Sequence, residues 1–249
     1  MANSYFKFKK FKIQQDKCAM KVCTDACLFG ALLASSKQLN GHCLDIGTGT
    51  GLLPLMIAQK NEGIKIDAFE IDTDAAAQAQ ENISVTQWAD NIQVFNEDIL
   101  KLMPGTPSGS DGHHIVSKKY DCIISNPPFF EDDLQSPDAA KNNAKHNSSL
   151  SFVQLLQVVH SLLVTDGFFA VLLPYPRVDY FIEEAAKTGL HLSKQILIKQ
   201  TFKHKFFRGI LFFKRVETQA TKSEIIIKDL EHNYTPEFVN LLKDYYLFL

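Results

Sequence analysis

The sequence predicts an α/β fold in which a mostly parallel sheet is covered by helices on both faces. Three observations predict it. Short apolar runs alternate with stretches of helical spacing along most of the 249 residues, the pattern made by parallel strands joined through crossover helices. The first compact apolar run, His42 to Ile46, ends in a cluster of glycines where a helical pattern begins. Late in the chain, two apolar runs are separated only by Lys199 to Arg208. That connection is short for a parallel crossover, so this pair is expected to be antiparallel.

Phe6 to Lys12 alternates aromatic and basic residues and reads as a short half-buried strand. Thr24 to Ser35 reads as a helix, with Thr24 or Asp25 as its cap. His42 to Ile46 is a buried strand, Leu52 to Gln59 a helix, Lys65 to Ile71 a strand, and Thr73 to Val85 a helix rich in Ala and Gln. Ile92 to Phe95 is a strand. Met103 to Lys119 carries Pro, Gly, Ser and two adjacent histidines without periodicity, which predicts a mobile loop. Tyr120 to Ser125 is a strand ending at Asn126. Phe130 to Ser149 is polar and unpatterned, long enough to be either functional or disordered. Helices follow at Leu150 to Leu163 and Val178 to Lys187, strands at Gly167 to Leu173, Leu190 to Ile198 and Gly209 to Phe213, an edge strand at Ile225 to Ile227, and a closing helix at Pro236 to Tyr245. No internal repeat or second domain is visible. One domain over residues 1–249 is expected, with residues 1–30 as an N-terminal extension over its ligand pocket.

The net charge is −2, so the molecule is no polycation, and any nucleic-acid binding must come from local patches. The five cysteines, Cys18, Cys23, Cys27, Cys43 and Cys122, are odd in number and form no C-x-x-C pair, which argues against a disulfide framework or a metal site. The lysine-bearing N-terminus has no secretory apolar region, and no run is long enough to cross a bilayer. A cytoplasmic location, no membrane partner and no metal are expected. The sequence does not report oligomeric state; a monomer is slightly favoured.

In Leu44-Asp45-Ile46-Gly47-Thr48-Gly49-Thr50-Gly51, glycines permit a tight turn and close approach of a ligand to the backbone. The spacing is not the G-x-G-x-x-G of a dinucleotide site, because Leu52 holds the sixth position. The Lys and Ser/Thr of a phosphate-binding P-loop are also missing. Glu70 ends the second strand of the βαβ unit, where a carboxylate can accept from ribose hydroxyls. Asp98 follows the third, where it could accept from an adenine amino group. Each carboxylate alone could be a solvated strand end; with the loop, in this order, they describe a nucleoside pocket at the carboxyl edge of the sheet. Asp45 to Gly51 resembles motif I of the class I methyltransferases, Glu70 their ribose-binding acid, and Asp98 the residue contacting the cofactor's adenine. The resemblance implies S-adenosyl-L-methionine and a Rossmann-like, seven-stranded sheet whose last strand is antiparallel.

Asn126-Pro127-Pro128-Phe129 matches a pattern expected by chance about once in a hundred chains of this size. As structure it is a rigid turn. As chemistry it suits a planar nitrogen. An adenine amino group is a poor nucleophile because its lone pair is delocalised. Two acceptors, the Asn126 side-chain oxygen and the Pro127 carbonyl, would localise that pair. The prolines bring no competing N–H and fix φ, so the acceptors are preorganised. Phe129 offers a face for a flat base. What remains is alignment. The amine becomes acidic once methylated, so neither His146 nor Asp132 is invoked as a base. This type of tetrapeptide occurs in methyltransferases acting on DNA adenine, on RNA adenine or guanine, and on protein glutamine, and cannot choose among them.

Two basic patches bear on the choice. Lys7, Lys9, Lys10 and Lys12 interleave with Phe6, Phe8 and Phe11. Residues 199–215 carry Lys199, Lys203, Lys205, Arg208, Lys214 and Arg215 with no acid. Either could be a solvated strand face over an aromatic core; together they favour a phosphate backbone. Asp16 to Asp25, followed by Leu28-Phe29-Gly30-Ala31, is similar to the N-terminal motif of the bacterial tRNA adenine-N6 methyltransferases, which act on adenosine 37 beside the anticodon of a valine tRNA. That similarity runs through motif I, Asn-Pro-Pro-Phe and the polar loop to His146 and Leu150-Ser151-Phe152. It implies that Lys21, Thr24 and Asp25 lie near the methionyl end of the cofactor or close the pocket. Cys23 departs from a residue often small or hydroxylated there, and the Met103 to Lys119 loop is longer than usual. Lys141, Lys145 and His146 are expected to meet the anticodon stem-loop as the 130–149 loop closes over an unpaired base. A methyltransferase for protein glutamine or a small molecule, and a non-catalytic RNA-binding module, are the competing readings.

Overall fold

The computed structural model describes residues 4–103, 118–127 and 150–249. The main sheet has eight strands, in chain order β3 (His42–Ile46), β4 (Lys65–Glu70), β5 (Ile92–Asn96), β6 (Tyr120–Ser125), β7 (Leu163–Pro174), β8 (His191–Lys199), β9 (Phe206–Lys214) and β10 (Thr221–Ile226). Their spatial order is β10-β8-β9-β7-β6-β3-β4-β5. Only β9 runs antiparallel to its neighbours β7 and β8. It is the seventh strand of this sheet, as expected, and β10 adds an eighth at the edge, parallel to β8.

Alternation along the strands builds two cores. Cys43, Cys122, Ile124, Phe168, Ala170 and Leu172 face one side, with helices α1 (Thr24–Ala34), α2 (Leu52–Ala58), α3 (Thr73–Ser84) and α6 (Pro236–Leu242). Leu44, Ile46, Ile123, Phe169, Val171 and Leu173 face the other, against α4 (Phe152–Leu162) and α5 (Val178–Lys187). A strand buried on both faces reads as a continuous apolar run, which is why these strands were visible in the sequence.

Several boundaries differ from expectation. Phe6 to Lys12 is not one strand but parts of a hairpin, β1 (Tyr5–Lys7) and β2 (Lys12–Gln14). Phe8 and Phe11 pair across its turn, with the Phe8 N–H donating to the Phe11 carbonyl at 2.9 Å and the two rings stacked at 4.6 Å. Helix α1 starts at Thr24, but its cap is Cys23, which has extended backbone and no side-chain capping bond. Neither Thr24 nor Asp25 caps it; the buried Asp25 carboxylate is drawn instead to Arg208. Helix α4 begins in a capping box made by Ser151 and Gln154 and passes directly into β7, four residues before the expected Gly167. Most of the Met103–Lys119 and Phe130–Ser149 segments lies outside the described residues.

The segment between β2 and α1 is fastened to α3 by two buried amides. Asn82 accepts the Gln14 N–H at 2.8 Å and donates to the carbonyls of Gln14 and Thr50, both at 2.9 Å. Gln78 accepts the Lys17 N–H at 3.1 Å and donates to Asp16 at 2.8 Å. Asn82→Ala removes three hydrogen bonds and strands their buried partners, so it should destabilise the fold by about 2–4 kcal/mol, read as a lower urea midpoint.

Candidate active site at the carboxyl edge of the sheet

Three parallel strands, β6, β3 and β4, end side by side, and a turn follows each of them at this edge. After β3 the chain reverses through Gly47, Gly49 and Gly51, at φ of 75°, 56° and 78°. A side chain at any of them would be strained. The Gly47 and Thr48 N–H groups both donate to the Phe69 carbonyl, at 2.9 and 3.0 Å. Glu70, ending β4, braces the loop from the other side: its Oε2 accepts the Gly49 N–H at 2.9 Å and its Oε1 the Asp72 N–H at 3.0 Å. A Cβ built on Gly47 or Gly49 would meet nothing within 4 Å. The loop therefore borders open space, as a cradle for a ligand should.

Asp45 lies under this loop, fully buried; the Thr48 hydroxyl is close enough to steady its charge, but no hydrogen bond of good geometry reaches either carboxylate oxygen. Desolvation pushes its carboxyl from the ordinary 3.8 up to about 7, with the Thr48 hydroxyl pulling the other way and Glu70 adding a little. Buried acceptors are rarely left unspent. This one fits a cationic or N–H donor supplied from outside the chain.

Asn126 also carries an unspent acceptor. The Ser125 hydroxyl donates to the Ile46 carbonyl at 2.8 Å, locking the end of β6 to the end of β3 and so setting Asn126 beside the glycine loop. Asn126 Nδ2 donates to Met20 Sδ at 3.7 Å, whereas its Oδ1 is buried and unpartnered. Pro127 is buried. Pro128 and Phe129 lie outside the described residues. The Met20 contact brings the Asp16–Asp25 segment to the site. At its end Asp25 is held by Arg208, with Nε 2.6 Å from Oδ2. Lys21 is exposed and Thr24 half-buried on the same segment. Asp98 caps a short 3-10 turn, accepting the Leu100 N–H at 2.9 Å.

A family model described as the methyltransferase small domain matches residues 27–149. A protein of Dyadobacter fermentans named tRNA1(Val) (adenine(37)-N6)-methyltransferase is 38% identical over 249 residues, covering 98% of each chain. One of the same name from Parabacteroides distasonis is 39% identical, covering 99% of each. The chain belongs to this methyltransferase family. Among solved structures, an Agrobacterium tumefaciens protein described as "a predicted O-methyltransferase" superposes with a TM-score of 0.65 at 16% identity, covering 88% of this chain and 96% of that one. The ribosomal protein L11 methylase of Lactobacillus delbrueckii subsp. bulgaricus gives 0.50 at 16%, covering 76% and 77%. These two likenesses concern the fold alone.

The methyltransferase does not gather all the basic residues expected to meet substrate. Lys9 and Lys10 lie past the far end of α2, lining a cleft of about 330 Å³ with Gln59, Lys60, Lys243 and Asp244. The Lys9 ammonium donates to the carbonyls of Lys243 and Leu249. Lys12 sits 5.4 Å over the Tyr5 ring, and Lys7 is exposed on β1. Lys203 and Lys205 fall instead in the β8–β9 turn at the carboxyl edge, and Arg208 is engaged with Asp25. Lys141, Lys145 and His146 lie outside the described residues. Among the described residues no helix is long and apolar enough to cross a membrane, and no cluster could hold a metal. Sequence reasoning assigned no role to Met20, Ser125, Gln78 or Asn82. The last two had a signal, being amides on the inward stripe of a helical pattern; Ser125 had none.

The Asp45 carboxyl is raised, so its contribution to stability is present below pH about 4 and is lost as pH rises through about 7. Asp45→Asn should therefore melt several degrees above the parent at pH 8 in cofactor-free protein, with the advantage gone at pH 4, as followed by calorimetry.

Proposed function

We propose that the chain transfers a methyl group from S-adenosylmethionine to N6 of adenosine 37 in a valine tRNA. The observation that carries this reading is the buried, unpartnered Oδ1 of Asn126, at the head of Asn-Pro-Pro-Phe and one strand from the glycine loop. The names of the relatives support the substrate.

When bound, S-adenosylmethionine supplies an electrophilic methyl group on a sulfonium. Gly47 and Gly49 leave the space it needs, and Asp45 offers an acceptor for its ammonium group. Glu70 and Asp98 keep lone pairs for ribose hydroxyls and an adenine amino group, beside the backbone bonds they already accept. Lys21, Thr24 and Asp25 form the near wall. Asn126 Oδ1 and the Pro127 carbonyl accept from the two N–H groups of the target amine and localise its lone pair. Met20 occupies the Asn126 Nδ2, so the amide turns its oxygen rather than its nitrogen toward the target. Phe129, by sequence pattern, stacks on the base. Once methylated the nitrogen is acidic, and its proton passes to water without a dedicated base.

Labelled cofactor and total tRNA from a strain lacking the enzyme test the reading. Label should appear in N6-methyladenosine at position 37 of the valine tRNA. Label in protein instead would assign the chain to glutamine chemistry, and transfer to neither would leave a binder. Asn126→Ala should lower the transfer rate at least about a hundredfold with cofactor affinity unchanged; near-normal turnover would refute the acceptor role. The cofactor ammonium pairs best with ionised Asp45, so affinity should tighten as pH rises toward about 7 and fall again above about 8, where the α-amino group itself loses its proton. In Asp45→Asn calorimetry should show weak binding without the rise toward pH 7.

A further inference from the structure

The edge that carries Asn126 continues, two strands away, into a surface the transfer chemistry does not use. Strand β7 ends at Pro174, and Tyr175–Arg177 follows as a single 3-10 turn in which Pro174 and Pro176 flank Tyr175. Both prolines restrict φ, so the ring of Tyr175 is presented from a stiff support. It is 40% exposed, and its centroid lies 5.5 Å from that of Phe206. Phe206 in turn has the Lys199 ammonium 5.0 Å from its ring. The β8–β9 turn lies alongside. Its anchor is Thr201, 5% exposed, whose hydroxyl lies 2.7 Å from His204 Nδ1 and accepts the Lys203 N–H at 3.3 Å. With that residue held inward, its neighbours point out: Phe202 is 59% exposed, and Lys203, His204 and Lys205 are exposed beside it. Among the described residues no ion pair or hydrogen bond engages the ammonium groups of Lys203 and Lys205.

Strand register sets the distance. Ser125 on β6 is level with Val171 on β7, and Pro174 is level with Arg208 on β9. With strands about 4.8 Å apart and a rise of about 3.3 Å per residue, the Tyr175–Phe206 pair lies on the order of 15 Å from Asn126. Two exposed rings and the half-buried Phe206 lie among cations. Lys199 is paired with Glu224 at 3.0 Å. Lys203 and Lys205, however, stand in a run with no acid from 199 to 215, which matches the chemistry of unpaired nucleotides: every base has a face to stack, and every phosphate a charge to pair. A protein partner would favour a core depleted of charge, which this surface does not provide.

We propose that Tyr175, Phe202 and Phe206, with Lys203 and Lys205, form a platform on which unpaired nucleotides flanking the target base stack, their phosphates resting on the lysines. The proposal rests on the RNA reading above and adds to it the surface that grips the loop around the reacting base.

The test is fluorescence anisotropy of the full chain with a labelled, unmodified transcript of the valine tRNA anticodon stem-loop, over a series of salt concentrations. Cofactor affinity, measured by calorimetry, checks that each variant is folded. Tyr175→Ala/Phe202→Ala should weaken RNA binding about tenfold or more with the salt slope unchanged, because stacking releases no counterions. Lys203→Ala/Lys205→Ala should instead reduce the slope of log affinity against log salt by about 1.4. If the aromatic pair loses cofactor binding, Tyr175→Leu/Phe202→Leu, which keeps apolar bulk and removes the π-faces, should show the same RNA defect. Aromatic variants that bind RNA as the parent does would overturn the platform while leaving the RNA reading intact. A parent that binds no RNA would overturn both.

Discussion

The site depends first on one buried side-chain amide, that of Asn82. It joins Gln14 of the N-terminal hairpin to Thr50 of the glycine loop, across elements that no strand pairing connects. A buried amide with all of its partners supplied rigidifies what it touches, and losing one partner strands the others without water. Gln78 repeats the arrangement one helical turn away, holding Asp16 and Lys17. Together they carry the N-terminal segment over the sheet edge, so that Met20 can reach Asn126 and Asp25 can reach Arg208.

Not every buried acceptor in this frame has a partner: among the described residues Asp45, Thr48, Gln59 and Asn126 each leave an oxygen unspent. Asp45 and the Asn126 oxygen are both buried without partners, at the ends of adjacent parallel strands that the Ser125 hydroxyl ties together. Each costs stability in the protein alone, as a buried acceptor without a donor does. The two are complementary in kind. Asp45 can take a charged donor and Asn126 a neutral one, which suits a cationic cofactor on one side and an amino group on the other.

The lysines divide in a comparable way. Those of the hairpin lie away from the site: the Lys9 ammonium donates to the carbonyls of Lys243 and Leu249, while Phe8 and Phe11 beside it are core. Those of the β8–β9 turn stand at the same sheet edge as the site. Sequence spacing made the two patches look equivalent. Strand direction separates them, because β9 runs antiparallel and returns its first residues to the carboxyl edge.

What the sequence by itself determined was local and periodic. Strands buried on both faces announced themselves as apolar runs, Gly47, Gly49 and Gly51 as a turn that only glycine adopts without strain, and Asn126-Pro127-Pro128-Phe129 as a rigid string of acceptors. These follow from hard-sphere sterics and hydrophobic period, which need no knowledge of distant residues. The tertiary structure alone decided which polar groups find partners. Nothing adjacent to Asp25 says that Arg208 will take its carboxylate, nothing near Asp45 says that its oxygens will go unpaired, and Cys23 rather than Thr24 caps α1 for the same reason. Hydrogen-bond partners more than a hundred residues away are chosen by how the layers pack, and that choice is absent from any local window of the chain.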